Sequence, residues 1–270
     1  MTAYLNHLAF EFKTGLRNST QLLMYYLFPL LFYAMMGLVM TQINPFFTET
    51  LIPAMVVFAA LVGTLLGLPG PLVESREAGI FRSFKVNGVP APSILLVPAI
   101  TAVFHILIVS VIVALTGAPF FDGVAPSNWG TFALVTLVAS VSFAGLGALI
   151  GVVAEGSRST VLYAQAIFLP SMLLGGLMIP LAMLPESVQS VSLLLPATYA
   201  MEAFNGLAYG LDTLVDPAVA LAALAASGLL AFGLAAYLFN WDSRSGARRG
   251  HPVMALLALL PYVAVALVYL

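Results

Sequence analysis

The sequence predicts an all-α fold: a polytopic membrane bundle of six core transmembrane helices plus a seventh C-terminal helix, an interfacial N-terminal helix and re-entrant helices in the outer leaflet. Hydrophobic residues make up 61% of the 270 residues and charged residues 7%, whereas about 25% of an average soluble domain is charged. The apolar runs are about 20 residues long, which suits a helix that crosses hydrocarbon. Lipid requires internally bonded backbone, so the runs should be helices of one transmembrane domain, 1–270.

The nine Lys and Arg residues fall in alternate segments flanking the apolar runs, and the intervening connections carry only acidic residues. Because cytoplasmic loops retain Lys and Arg, the pattern predicts a multi-pass protein of a bacterial plasma membrane with a cytoplasmic N-terminus. The basic residues are Lys13, Arg17, Arg76, Arg82, Lys85, Arg158, Arg244, Arg248 and Arg249. The acidic residues of the intervening connections are Glu49, Asp122, Glu186, Glu202, Asp212 and Asp216.

The first segment, 1–18, should form an amphipathic helix that lies in the membrane interface. Apolar side chains recur there at helical spacing and polar side chains occupy a different face, as an interfacial helix requires. The apolar set is Leu5, Leu8, Phe12 and Leu16, and the polar set is His7, Glu11, Thr14 and Asn18. We therefore expect the polar face to meet water and the apolar face to meet acyl chains.

Six apolar runs should cross the membrane, and a further run near the C-terminus is long enough to do so. The six runs are 21–40, 51–73, 93–116, 131–153, 161–181 and 218–239. The further run, 252–270, contains no charged residue, although Pro261 lies at its centre. Following a basic segment, it should run outward and place residue 270 outside. The alternative is a helix that lies along the membrane.

The segment 182–217 is apolar enough to suggest another crossing. A crossing there would place the basic residues 244–249 outside and reverse the last segments. Pro196 interrupts the run and Glu202 lies within it, where a charge facing lipid would be costly. We therefore predict a re-entrant hairpin of two short helices that enters the outer leaflet and returns.

The loop 74–92 should contain a short amphipathic helix at the cytoplasmic surface. Ile80, Phe81 and Phe84 recur at helical spacing among charged residues, and Gly88 and Pro90 follow, as is typical past a helix end. Lipid could hold such a helix at the interface. Alternatively, the helix could dock into a groove of a partner protein.

Two motifs resemble a known family, the type-2 ABC exporter permeases. The pattern E-x-R-E-x-G at 74–79, followed by a hydrophobic and basic helix, is similar to the coupling helix of that family. Residues 175–210 are similar to the family signature after the fifth span, with its Leu-Pro step and Pro-x-Thr-Tyr helix. The amphipathic first helix agrees as well, so the resemblance covers about residues 1–245. The segment 252–270 departs from the family pattern.

The resemblance implies the permease subunit of an exporter, which would work by alternating access, and the apolar composition suggests that the exported compound is hydrophobic or amphipathic, such as a drug or lipid. It implies a homo- or heterodimer in the lipid bilayer with two cytoplasmic ATPase subunits, which would bind ATP and Mg. The chain lacks G-x-x-x-x-G-K-[ST], so we expect it to bind no cofactor itself and not to be an enzyme. The implied ATPase-coupling residues are Glu74, Arg76, Glu77, Gly79, Ile80, Phe81, Arg82 and Phe84. The implied outer-gate residues are Pro180, Pro185, Pro196, Tyr199 and Glu202.

Two polar side chains within the spans are candidates for the transport pathway. His105 lies near the centre of the third predicted span and Gln165 near the inner end of the fifth. Ionisable groups inside membranes commonly face a cavity or a partner. The alternative is a neutral imidazole that is hydrogen-bonded to Ser, Thr or a backbone carbonyl.

Other function classes find less support in the pattern. An integral membrane enzyme that modifies lipids needs acid–base groups or metal ligands gathered at one depth, and the acidic residues here are split between the two faces. An ion-coupled transporter would require more buried carboxylates. We expect neither a metal site nor a nucleic-acid partner.

Overall fold

A computed structural model describes residues 2–15, 17–44, 47–241 and 250–269 of the chain. Within these ranges every regular element is a helix, which confirms the predicted all-α fold. Leu16, the three arginines at 244, 248 and 249, and residue 270 lie outside the described residues, and so does the side chain of Leu5.

The helices follow one another with short connections. In order they are α1 (Thr2–Gly15), α2 (Ser19–Ile43), α3 (Phe47–Glu77), α4 (Ile80–Val86), α5 (Ala91–Phe121), α6 (Trp129–Val153), α7 (Ser157–Leu174), α8 (Glu186–Ser192), α9 (Pro196–Ala203), α10 (Pro217–Leu238) and α11 (Pro252–Tyr269). Single π-helical turns occupy Leu23–Leu27 in α2, Val62–Leu66 in α3 and Phe204–Tyr209 after α9, while α11 begins as a 3₁₀-helix over Pro252–Leu259.

Six of the described helices are long and apolar enough to cross a membrane: α2, α3, α5, α6, α10 and α11. They include five of the six predicted core spans and the predicted seventh helix. The fifth predicted span, 161–181, is instead the shorter α7, which is not among the six. Its helix ends at Leu174 because Gly175 and Gly176 follow, and Gly176 adopts a left-handed φ of 85°, which favours glycine.

Helix α3 forms the centre of the bundle, and small residues of α6 let its neighbours approach closely. A Cβ atom on Gly147 would collide with the carbonyl of Thr64 in α3, and one on Gly145 would lie 2.8 Å from the carbonyl oxygen of Gly228 in α10. Close backbone approach at small residues is the usual means by which membrane helices pack. Helix α6 thus packs closely against both α3 and α10.

The long helices alternate in direction, which gives the bundle two chemically distinct ends. Near one end, the backbone N–H of Val124, after α5, donates to the carbonyl of Thr48 at the start of α3. At the opposite end, the side chain of Arg76, near the end of α3, contacts the end of α6. We call the latter the basic end because it holds the described basic residues, which are Lys13, Arg17, Arg76, Arg82, Lys85 and Arg158. We call the former the acidic end.

Candidate coupling surface and gate

Helix α4 lies at the basic end between two glycines with left-handed backbone. Gly79, which precedes it, has a φ of 74°, and Gly88, which follows it, has a φ of 73°. An L side chain rarely adopts such a conformation, so glycine is required at both turns. The short amphipathic helix that the sequence predicts for the loop 74–92 is therefore present, with a sharp turn at each end.

The aromatic face of α4 packs onto its own chain. Phe81 is buried, and its ring centroid lies 5.7 Å from that of Phe239, just after α10. The Phe84 ring makes an edge-on contact with the imidazole of His7 in α1, at a centroid distance of 5.1 Å. These two aromatic side chains thus attach α4 to the bundle.

The opposite face of α4 is open at the basic end. Arg82 and Val86 are exposed, and 42% of the surface of Ile80 is accessible. Glu74 and Glu77, in the last turn of α3, are exposed beside this face. We call these five residues the coupling surface. It combines charges of both signs with apolar side chains.

Arg76 differs from its neighbours because it is buried and points into the bundle. Its guanidinium donates to the carbonyl oxygen of Val152 at 2.8 Å, to that of Gly151 at 3.4 Å, and to that of Ala154. The last carbonyls of a helix lack partners within the helix and carry partial negative charge. Arg76 therefore caps α6 and joins it to the end of α3.

At the acidic end, the predicted gate segment contains the short helices α8 and α9, neither of which is among the six candidate spans. Pro180 and Pro185 immediately precede the 3₁₀ turn Leu181–Met183 and α8, respectively, and Pro196 is the first residue of α9. Proline suits the first turn of a helix because the N–H that it lacks has no partner there.

Tyr199 connects α9 to α11. The side chain is buried, and its ring is stacked on that of Tyr262 at a centroid distance of 4.7 Å. Its hydroxyl oxygen lies 2.7 Å from the carbonyl oxygen of Leu193 and 3.0 Å from that of Tyr262. The predicted gate helix is thus fixed by stacking and hydrogen bonding to the C-terminal helix.

Glu202, the other polar member of the predicted gate, lies inside the protein. Only 4% of its surface is accessible, and its carboxylate accepts a hydrogen bond of 2.8 Å from the backbone N–H of Val215. The carboxylate therefore joins α9 to the loop that leads into α10. Its charge does not face lipid, in agreement with the reason for predicting a hairpin here.

The two predicted pathway residues lie in separate surroundings. His105 is buried, its Nδ1 lies 2.6 Å from the hydroxyl oxygen of Tyr26, and its ring stacks on Tyr25 at a centroid distance of 5.1 Å. The partner is thus a tyrosine and not the predicted Ser, Thr or backbone carbonyl, and no described residue hydrogen-bonds to the buried Nε2 of His105. Gln165, on α7, is half-buried, and no described residue hydrogen-bonds to its buried side-chain oxygen.

A groove of about 430 Å³ lies between α6, α7 and α11. Its lining is apolar except for the hydroxyl of Tyr163; Leu149 and Ile167 are typical members, and α11 contributes Val253 and Leu256. An apolar concavity of this kind suits a lipophilic molecule.

A second cavity, of about 260 Å³, lies at the basic end between α1, the start of α2, the end of α3, α4 and the start of α5. Its lining includes His7 and Glu11, which the sequence places on the polar face of an interfacial helix. In the structure this face turns towards α4, so only 7% of the His7 surface is accessible. Burial raises the pKa of the Glu11 carboxyl and lowers the pKa of the His7 imidazole. The sequence alone does not predict this cavity, although the four-residue spacing of His7 and Glu11 indicates that the two side chains share a helix face.

Among the described residues, no group of three or more His, Asp or Glu side chains is arranged to hold a metal ion.

Comparison with known proteins identifies a family. The family model described as ABC-2 type transporter matches residues 4–209, a range that runs from α1 to the turn after α9. No curated protein is similar enough to count as a match. Helices α10 and α11 lie outside the matched range. The match favours transport over the enzymatic alternative.

Proposed function

The chain belongs to the ABC-2 type transporter family, and on that premise we propose that it is the permease subunit of an ATP-driven exporter. Family membership makes it a transport subunit and a multi-pass membrane protein, and proteins of this family work with ATPase subunits. The proposal adds outward transport of a hydrophobic or amphipathic compound. The observation that carries it is the attachment of α4: its exposed face forms the coupling surface together with Glu74 and Glu77 of α3, and its other face contacts α1 and the end of α10.

In this proposal, separate ATPase subunits hydrolyse the ATP that drives transport. The sequence has no G-x-x-x-x-G-K-[ST] loop to cradle phosphates. Two cytoplasmic ATPase subunits therefore bind ATP and Mg, and each contacts one copy of the permease. The second permease copy is identical or homologous. The basic end faces the cytoplasm, because cytoplasmic loops retain Lys and Arg.

The contacts of α4 supply a physical route for coupling. A displacement of α4 reaches α1 through Phe84 and the end of α10 through Phe81. The end of α3, which immediately precedes α4, carries the displacement on to α6, because Arg76 of α3 holds the last carbonyls of α6. Because Arg76 and Phe81 are buried, we assign them the transmission of movement and assign direct ATPase contact to the coupling surface. The ATPase subunits must then bind ATP more tightly in one arrangement of the permease helices than in the other.

The acidic end supplies the proposed gate, and the apolar groove indicates the class of substrate. Helices α8 and α9 close the outer end of the pathway, with Tyr199 and Glu202 holding α9 in its closed position. The apolar groove between α6, α7 and α11 supports a drug-like or lipid-like compound as the substrate. Gln165, whose side-chain oxygen is buried on α7, does not line this groove and stays a predicted pathway residue.

A cross-linking experiment tests the ATPase contact. The chain contains no cysteine, so a single introduced cysteine is the only thiol of the permease. Ser83→Cys, on the exposed side of α4, should cross-link to an ATPase subunit through a maleimide–benzophenone reagent, which needs a thiol on the permease alone and inserts into a C–H bond of its neighbour on illumination. Ser187→Cys, exposed at the start of α8, is the matched control and should not. Equal cross-linking from both positions, or none from position 83, would contradict the proposal.

A further inference from the structure

We propose that the cavity of about 260 Å³ at the basic end binds a small amphipathic ammonium compound. The cavity is separate from the groove and from the gate, although His7, Phe81 and Phe84 of its lining also belong to the coupling route described above. The inference rests on the side chains that line the cavity and is independent of the transported compound.

The charge of the lining favours a cation. Glu11 is its acidic member, and neither Lys nor Arg is found among the lining residues that the structure describes. Burial raises the pKa of the Glu11 carboxyl, because a desolvated carboxylate without a nearby cation is unfavourable. In the described part of the chain no basic side chain pairs with this carboxyl, so a bound cation would supply the missing partner.

An unpaired nitrogen indicates a ligand that donates hydrogen bonds. The Nδ1 atom of His7 is buried, and no described residue hydrogen-bonds to it. Burial lowers the pKa of this imidazole and thereby favours the uncharged ring, whose Nδ1 is an acceptor when the proton is on Nε2. A buried acceptor without a donor is costly. A primary ammonium group carries three N–H donors and could satisfy both His7 and Glu11.

Aromatic side chains of the lining would contact the apolar part of the ligand. The rings of Phe10, Tyr25, Phe81 and Phe84 contribute to the lining. Aromatic faces attract cations as well as apolar groups. A volume of about 260 Å³ is small for a drug site, which limits the ligand to about one ring or a short alkyl chain. Phenethylammonium has this combination of charge, donors and size.

Ligand binding to the purified full chain tests the inference. In dodecyl maltoside, a detergent without charge, the protein is titrated with 4-fluorophenethylamine and binding is followed by fluorine NMR. We expect saturable binding, with the neutral 4-fluorophenethyl alcohol about tenfold weaker or more. Equal affinity for the amine and the alcohol would overturn the inference, and this comparison requires no variant.

Variants then locate the site. Glu11→Gln should weaken amine binding about tenfold and His7→Phe should weaken it as well, whereas Glu49→Gln, an exposed acid at the other end, should leave it unchanged. Equal affinities of Glu11→Gln and Glu49→Gln would overturn the assignment. Two sources could supply the ammonium group. Competition by added phosphatidylethanolamine, but not phosphatidylglycerol, would identify a lipid headgroup, and its absence would identify a free amine; either result supports the site.

Discussion

At the scale of single residues, one arginine has a role that its position in a charged motif conceals. Arg76 belongs to the pattern E-x-R-E-x-G, and the sequence assigns it to ATPase contact together with Glu74 and Glu77. Its guanidinium instead caps α6 from within the protein. The motif therefore combines side chains that face outward with one that fixes the helix ends relative to each other.

Removal of the Arg76 side chain should destabilise the protein. Arg76→Ala leaves the carbonyls at the end of α6 unpaired, and a hydrogen bond to a charged group contributes about 1.5–3 kcal/mol to stability. We expect a lower midpoint of thermal unfolding in detergent, with little recovery in Arg76→Lys because an ammonium cannot span several carbonyls. Arg158→Ala, an exposed basic residue of the same end, is the control. An unchanged midpoint in Arg76→Ala would contradict the capping role.

At the scale of elements, substitutions in the coupling surface and substitutions in the buried face of α4 should have different effects. Glu77→Ala and Arg82→Glu alter the exposed coupling surface, so they should uncouple ATP hydrolysis from transport without changing the thermal midpoint. Phe81→Ala removes a buried ring, and such losses cost about 3–5 kcal/mol. We therefore expect Phe81→Ala to lower the midpoint. Hydrolysis and transport measured in the same vesicles check the first expectation. Intact coupling in Arg82→Glu would argue against ATPase contact at this surface.

The C-terminal helix α11 lies outside the matched family range, yet it is part of the bundle. Besides the stacking of Tyr199 on Tyr262, Ser227 in α10 donates to the carbonyl of Ala258 at 2.8 Å. The hydroxyl of Tyr269 accepts from the backbone N–H of Asp216 at 3.2 Å. Helix α11 therefore supports both α9 and α10.

A substitution in α11 that removes a contact with α9, the proposed gate helix, should consequently lower the stability of the protein. Tyr262→Ala removes a fully buried ring and the stacking partner of Tyr199, so we expect a loss of about 3–5 kcal/mol in stability. Leu267→Ala, on the exposed face of the same helix, should cost far less. Thermal unfolding of the two variants provides the measurement. Equal midpoints would indicate that α11 does not support α9.

At the scale of the whole molecule, length and composition were sufficient to predict the helical bundle, because a run of about 20 apolar residues has few alternatives to a helix in lipid. The alternation of the basic and acidic ends followed from the same runs. Helix α7 ends before the predicted span does because of the backbone conformation of Gly176, and apolar composition does not indicate this conformation.

The contacts of the candidate sites were less predictable. The capping of α6 by Arg76 and the packing of Phe84 on His7 join residues that are far apart in the sequence. Such pairs depend on how helices pack, and a single sequence records only which face is apolar. The helix 80–86 and the two short helices of the gate were predictable because glycine and proline mark their ends locally.

The proposed function requires that the basic end face the cytoplasm, where an ATPase can reach α4. Intact cells that produce either Ser83→Cys or Ser187→Cys are treated with a membrane-impermeant thiol reagent, before and after permeabilisation. We predict labelling of position 187 in intact cells and labelling of position 83 only after permeabilisation. Labelling of position 83 in intact cells would contradict the orientation and the proposed ATPase contact.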